Sequence, residues 1–422
     1  MVLVFDIGKT NKKCLVFDAD YRVVFEEATQ LAETVDEDGD PCEDILLLQN
    51  WILDTFARVL REERFRIRAV NGTAYGASFV HLDAAGNALT PLYNYLKPFP
   101  VELRKRFFET YGGEEKMALE TASPILGHLN SGLQLYWLKN ERPEIFRKIK
   151  WSLHLPQYVA WLLRSCLRES PRADQPVSEI TSIGCHTLLW DFQKNDYHNW
   201  VKAENITEKF PPITPLTQPY IHHASCIIHH SLHDSSAALV PYLAHFREPF
   251  VLLSTGTWCI SLNPFNSEPL TGFELQNDCL CYLTFEGKPV KAARYFGGNE
   301  HENAVRRISE MHGVALGFYK NAGPEPNTPA EAEYLAFMRQ LVDKQVFSTR
   351  LALGNSAVQR IYVDGGFSKN EIFMRLLAAE FSDMEVFAAE VAQATALGAA
   401  LVLHDCWNAR KAPQNLILLK KY

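Results

Sequence analysis

What the 422-residue sequence lacks narrows its identity first. It has no Lys/Arg-dense block, and 42 basic against 50 acidic residues leave a net charge of -8, so no electrostatic footprint for nucleic acid is present. No stretch of about 18 uncharged apolar residues occurs, which excludes a membrane-spanning helix. The N-terminal residues lack the basic region and the long apolar run of a secretory signal, so a cytoplasmic chain is expected. The nine cysteines are an odd number, scattered, with no C-x-x-C pair. Free, mostly buried thiols in a reducing compartment fit that pattern better than a disulfide framework. Low-complexity sequence is also missing; residues 323–329 are the most linker-like.

What is present is an ordinary globular balance of 47% hydrophobic and 22% charged residues, on a chain long enough for two or more domains. Residues 2–5, 14–17 and 22–26 read as three strands of a meander, the first two joined by the turn Gly8-Lys9-Thr10-Asn11. Asp40 as N-cap, Pro41 at the first position and Glu43 at N3 predict a helix that carries Ile45, Leu46, Ile52, Phe56 and Leu60. Residues 65–70 predict a further strand, ended by Asn71-Gly72. A related order recurs later. Strands are expected at 250–253, 258–262 and 282–285, then at 361–363 before the turn Asp364-Gly365-Gly366. Ser368 and Glu371 are spaced as a capping box for a helix with Phe373, Leu376, Leu377 and Phe381. The expectation is an α/β chain of two similar cores, one in residues 1–244 and the other in 245–422.

Four segments carry chemistry. The hairpin turn Gly8-Lys9-Thr10-Asn11 can present backbone N–H groups to phosphate oxygens, with Asp6 before it as a carboxylate able to hold Mg²⁺ through water. Ser254-Thr255-Gly256-Thr257 repeats the device and adds hydroxyls. Asp234, between His233 and the small residues Ser235-Ser236-Ala237-Ala238, suits the start of a buried helix, where it can reach an attacking hydroxyl as a general base. Gly365 and Gly366, followed by Ser368 and Asn370, let an adenosine approach the backbone at a helix N-terminus. Singly, each has a plain reading: a hairpin turn, an N-cap or a tight connection.

Together and in this order they resemble the FGGY family of carbohydrate kinases, of the actin-like ATPase superfamily, over nearly the whole chain. Leu397-Gly398-Ala399-Ala400 resembles part of that family's adenosine region. Leu129 to Glu141 fits a family signature with Gln134 where Lys is usual, and Ser178 to Asp191 resembles a segment of the first domain. The resemblance implies two actin-like (ribonuclease H-like) domains facing a central nucleotide/sugar cleft, with ATP and Mg²⁺ required. Asp234 falls at the family's catalytic base and Asp6 at its metal position. Gly8, Lys9, Thr10, Asn11, Thr255, Gly256, Thr257, Gly365, Gly366, Ser368 and Asn370 fall at nucleotide-binding positions.

Residues 74–83, with His233 and Trp258, look most like rhamnulokinases and fuculokinases. That places Tyr75, Gly76, Ser78, Tyr95, Lys97, His233 and Asp234 at the sugar. Ser78 stands where rhamnulokinases have Asp, and Tyr95 and Lys97 replace an Asp and an Arg. Two fewer carboxylates mean a more apolar pocket, compatible with a 6-deoxy ketohexose phosphorylated at C1 and equally with a smaller pentulose. A catalytically silent sugar- or nucleotide-binding regulator and a protein-directed ATPase are the rivals. The presence of both Asp6 and Asp234 argues against the first, and the 129–141 signature against the second. The expected partner is a small-molecule ketose, with no nucleic acid or membrane; a homodimer is left open. His222, His223, His229 and His230 lack zinc-ligand spacing and are read as structural, with His233 the exception. Cys279 and Cys281 share one strand face as buried thiols. Phe296-Gly297-Gly298-Asn299, a Gly pair before a helix, could touch the nucleotide, and a plain turn is the favoured reading.

Overall fold

A computed structural model describes residues 1–166, 175–215, 220–222, 226–323 and 325–422. The chain divides into two compact units. The first comprises residues 1–241, 281–288 and 393–413, and the second residues 242–280, 289–392 and 414–422. A split at 244/245 therefore follows the chain closely at that point, but two later segments return to the first unit.

The first unit is built on a sheet in the order Val23–Thr29, Lys12–Phe17, Val2–Ile7, Ala69–Ala74, Cys226–Ile228, Tyr220–His222, with Leu232–His233 also paired to Ala69–Ala74. The first three strands run antiparallel, whereas Val2–Ile7, Ala69–Ala74, Cys226–Ile228 and Leu232–His233 run parallel. Apolar side chains from Val2–Ile7 and Lys12–Phe17, among them Leu3, Phe5 and Val16, pack with Ile52 and Phe56 of the helix Ile45–Arg61 and with Tyr158 and Val159 of Leu155–Ser165. A second apolar cluster of this unit gathers Phe107, Trp137 and Trp200.

In the second unit, six strands repeat the plan: Pro289–Tyr295, Cys259–Asn263, Val251–Thr255, Arg360–Gly365, Glu385–Glu390, Leu418–Lys421. Antiparallel and parallel pairings fall at the same places as in the first sheet. The duplication expected from pattern is thus present in topology. Helices Pro329–Leu353 and Glu371–Glu380 cover it, burying Tyr334, Met338 and Phe373 against Val251, Leu253 and Val363.

Local readings are corrected at four places. The first helix begins at Ile45 with Asp44 as N-cap, its carboxylate accepting from the amides of Leu46 and Leu47. Pro41–Glu43, read as its first turn, is instead a strand paired with Glu33–Val35. Asn71-Gly72 does not end the following strand, which runs through both to Ala74. Asn71 is usable there because its side chain is fully engaged: it donates to the carbonyl of Ala399 at 2.7 Å and accepts from Ser231 N–H at 3.1 Å. The third strand of the second unit is Pro289–Tyr295, and residues 282–285 only close the earlier strand Cys279–Leu283. Finally, Asn370 caps Glu371–Glu380 by accepting from Phe373 N–H, while the Ser368 hydroxyl donates to the Gly365 carbonyl.

Candidate active site

Three adjacent parallel strands of the first unit end side by side. Asp6 lies opposite Thr73, and His233 opposite Ala74. Asp6, Tyr75 and Asp234 therefore leave the sheet together at its carboxyl edge, where open α/β sheets take their ligands. Asp234 opens the helix Asp234–His245, and its Oδ1 accepts from Ser235 N–H at 2.6 Å and the Ser235 hydroxyl at 3.3 Å. About a third of its side chain (32%) stays open. Desolvation by the surrounding protein still dominates and pushes its carboxyl up to about 6, with the Ser235 bonds pulling the other way. Asp6 Oδ2 accepts the Thr395 hydroxyl at 2.6 Å. Burial pushes Asp6 up to about 6 as well; the Thr395 bond opposes this and the charge of Asp234 adds to it.

The turn after Asp6 is closed by Gly8 N–H donating to the Asn11 carbonyl at 2.9 Å. Thr10 and Asn11 are exposed, and the Asn11 side chain accepts from Gln30. Lys12 is only 1% exposed. Its ammonium donates to the Lys9 carbonyl at 2.8 Å and pairs with Glu43 at 2.8 Å, tying the turn from beneath. Lys9 reaches Glu33 at 3.1 Å and Glu43 at 3.2 Å, and the Tyr75 hydroxyl donates to Glu43 at 2.7 Å. Glu43 is thus shared by two lysines and a tyrosine. Lys12→Met strands part of that buried charge and should cost about 3 kcal/mol in denaturant unfolding, with Glu43→Gln in the same chain restoring part of the loss.

Of the seven residues expected at the sugar, the structure gathers six. Tyr75 and Tyr95 rings lie 5.9 Å apart, and the charges acting on the Tyr95 hydroxyl come from Lys9, Asp234 and Glu43. A Cβ on Gly76 would lie 2.5 Å from Nε2 of His233, so only glycine lets that imidazole lie against the strand end beside Asp234. Ser78 joins them through a side-chain hydrogen bond to Tyr75, while Lys97 is engaged elsewhere. The buried Ser78 hydroxyl donates to the Tyr93 carbonyl at 3.3 Å. The Lys97 ammonium is taken up by Asp36, Asp38 and Asp40 at 2.6, 2.8 and 3.2 Å.

The second unit presents a cavity of about 630 Å³ at the corresponding strand ends, lined by Thr255, Gly256, Gly298, His301, Gly366 and Asn370 among others. Gly366 N–H donates to the Thr255 carbonyl at 2.9 Å, and the Thr255 hydroxyl takes the Phe367 N–H at 3.0 Å and donates to the Asp364 carbonyl. Gly365 has φ +81°, and a Cβ there would lie 1.9 Å from the Thr255 carbonyl oxygen. Gly365→Ala should therefore shift this turn and cost about 1–3 kcal/mol of stability, read as a lower midpoint for the second unit in denaturant unfolding. Asn370 also donates to the Tyr334 hydroxyl, which is 2.8 Å from His301 Nε2. Thr257 and Ser368 shape the turns; the Thr257 carbonyl accepts from Asn299.

Some members were not singled out from sequence. Gly298, read as part of a plain turn, lines the cavity at the first turn of Gly297–His312, and a Cβ on it would meet the Gly256 carbonyl at 1.9 Å. The Gly297-Gly298 pair before a helix was the available signal. His301, Tyr319 and Lys320 also line the cavity and carried none. Glu43 was read only as a helix-start residue. Leu397 to Ala400 lie on the helix Ala394–Leu401, which packs on Val2–Ile7 and Ala69–Ala74 of the first unit. His229 and His230 are buried with rings 5.3 Å apart, and Cys279 and Cys281 are buried thiols. His223 lies outside the described residues. Among those described, no helix is long and apolar enough to cross a membrane.

Comparison with known proteins agrees with this geometry. The model of the FGGY family of carbohydrate kinases, N-terminal domain, matches residues 1–233, and its C-terminal counterpart matches 301–403. A further model, carbohydrate kinase FGGY, C-terminal domain, matches 247–315. The chain belongs to the FGGY family of carbohydrate kinases. It is 25% identical over 192 residues to a rhamnulokinase of Halalkalibacterium halodurans, a match spanning 45% of this chain and 39% of that relative. A carbohydrate kinase from Novosphingobium aromaticivorans superposes with a TM-score of 0.78 at 25% identity, over 100% of this chain and 93% of that one. A ligand-bound xylulose kinase from Lactobacillus acidophilus shares the fold, with a TM-score of 0.79 at 14% identity over 100% and 94% of the two chains.

Proposed function

We propose that this chain is an ATP-dependent kinase that phosphorylates a ketose, a 6-deoxy ketohexose such as L-rhamnulose or L-fuculose, at its C1 hydroxyl. The observation that carries the reading is the convergence of Asp6, Tyr75 and Asp234 at one sheet edge, with the Asp234 carboxyl raised to about 6 and part-open. A carboxylate so placed is a base suited to neutral pH: it accepts the proton of the sugar hydroxyl as that oxygen attacks the γ-phosphorus in line.

Asp6 is a hard oxygen donor whose raised pKa reflects burial and a second carboxylate nearby, and a divalent cation relieves both; the residues fit Mg²⁺. When bound, Mg²⁺ neutralises charge on the phosphoryl oxygens. In the turn that the Gly8 N–H closes onto the Asn11 carbonyl, the amides of Lys9, Thr10 and Asn11 serve phosphate in the first unit. In the second, Thr255, Gly256, Thr257, Gly365, Gly366, Ser368 and Asn370 serve the nucleotide, with the 630 Å³ cavity of a size for an adenosine.

The sugar class follows from the wall that Tyr75 and Tyr95 build beside Asp234. With Tyr95 in place of one carboxylate and Ser78 in place of another, this wall favours a methyl-bearing ketose, and the match to a rhamnulokinase supports the same choice. The test is a panel of ketohexoses, 6-deoxy ketohexoses and pentuloses with ATP, the product's phosphorus coupling read by NMR. Phosphorus coupled to the C1 protons of a 6-deoxy ketohexose is expected. Preferred turnover of a pentulose, or phosphate on another carbon, would replace the substrate assignment.

A further inference from the structure

His233 has neighbours that phosphoryl transfer does not use. Cys185, His186 and His233, all buried in the first unit, each place one ligand atom within 4.8 Å of the other two. They come from separate segments: Cys185 and His186 follow the short helix Ile180–Ile183, and His233 ends the strand Leu232–His233. No spacing in the sequence announces them.

Three features make this a donor set. The His186 Nδ1 lies 3.1 Å from the Leu129 carbonyl, which can only accept, so Nδ1 carries the hydrogen and Nε2 the lone pair. A backbone carbonyl holding the far nitrogen is the arrangement that orients metal-binding imidazoles. His233 is 2% exposed, and its Nδ1 has no hydrogen-bond partner among the described residues, a polar atom aimed at nothing that satisfies it. The Tyr282 ring stacks on His233 at 5.5 Å and meets His186 edge-on at 6.0 Å, fixing both planes. The Cys185 Sγ, 3.1 Å from the Ser182 carbonyl, completes the set.

We propose that Cys185, His186 and His233 form a binding site for a borderline-soft divalent cation of the Zn²⁺ class. One sulfur and two imidazole nitrogens are the ligands such an ion selects over Mg²⁺, which takes oxygen. The cation replaces the thiol proton of Cys185; that proton leaves to solvent, a sulfur–metal bond forms, and no electron is transferred. Zinc bonds of ~2.0 Å to nitrogen and ~2.3 Å to sulfur put tetrahedral ligand atoms roughly 3.3–3.6 Å apart, so the three side chains close by at most about 1.5 Å. Asp234 Oδ1 is 3.4 Å from the His233 Nε2. Occupancy therefore pulls on the residue adjoining the base and slows phosphoryl transfer, a consequence that rests on the function proposed above; binding itself does not.

The experiment titrates the full chain, freed of metal, with Zn²⁺ by calorimetry and with Co²⁺ by near-ultraviolet absorption. Wild type should bind one equivalent, with a thiolate-to-cobalt charge-transfer band. Cys185→Ser should lose the band and bind Zn²⁺ at least about 100-fold more weakly, while keeping the metal-free rate of sugar-dependent ADP release. Zn²⁺ should slow wild type and not Cys185→Ser. Absence of the band, or equal Zn²⁺ affinity in the two proteins, overturns the site. Binding that depends on Cys185 in a chain showing no kinase activity upholds the site and removes only its catalytic consequence.

Discussion

Asp234→Asn should lower kcat by about 10²–10⁴-fold while leaving the affinity for ATP within about twofold, as measured by steady-state kinetics and by nucleotide titration. The amide keeps the shape and can still take the Ser235 N–H, so the helix start survives. What it loses is the capacity to accept a proton. The wild-type pH profile carries the same signature. On the proposed mechanism Asp234 acts only when ionised, so the rate should fall as pH drops through about 6, where its carboxyl is set chiefly by desolvation. An Asp234→Asn protein that kept full turnover would take this residue out of the chemistry.

Gly398→Val should be the most damaging single change outside the chemistry. The helix Ala394–Leu401 approaches Asp234–His245 backbone to backbone: a Cβ on Gly398 would stand 1.9 Å from the Ala237 carbonyl oxygen. Neither atom belongs to a side chain that can rotate away, so the two helices must separate by more than 1 Å. Thr395 on the first helix holds Asp6, and the second helix begins at Asp234. The substitution should therefore cost more than about 3 kcal/mol and displace both carboxylates. Thermal unfolding should show a lower midpoint for the first unit, and kcat should fall together with it. A Gly398→Val protein with native midpoint and rate would show that this contact does not set the site.

The contrast between what was legible and what was not follows the range of the interactions. The meander strands and the turns at Gly8, Gly256 and Gly365 declare themselves locally, through alternation and through glycines where backbone must pass close. The repeated strand order could be anticipated from those signals, and family motifs singled out Asp6 and Asp234, which the fold brings to one sheet edge. Pro41–Glu43 imitated a helix start because Asp, Pro and Glu stood at capping distances, yet Asp44 wins the cap and the segment pairs as a strand. Glu43 could not be read as the hub of Lys9, Lys12 and Tyr75, since its partners are over 30 residues away. Lys97 looked available for a sugar, but folding brings it to Asp36, Asp38 and Asp40. Leu397 to Ala400 belong to the second domain in sequence and join the first unit in space, a choice made by Gly398 and by the bond from Asn71 to Ala399.

ADP release from ATP and Mg²⁺, measured for the wild-type chain with and without each of a panel of ketoses, tests the central claim most directly. The account predicts ADP formed in step with a phosphorylated ketose, little hydrolysis without sugar, and the highest rate with a 6-deoxy ketohexose. ATP hydrolysis that proceeds equally without sugar, or no ADP with any ketose, would contradict it.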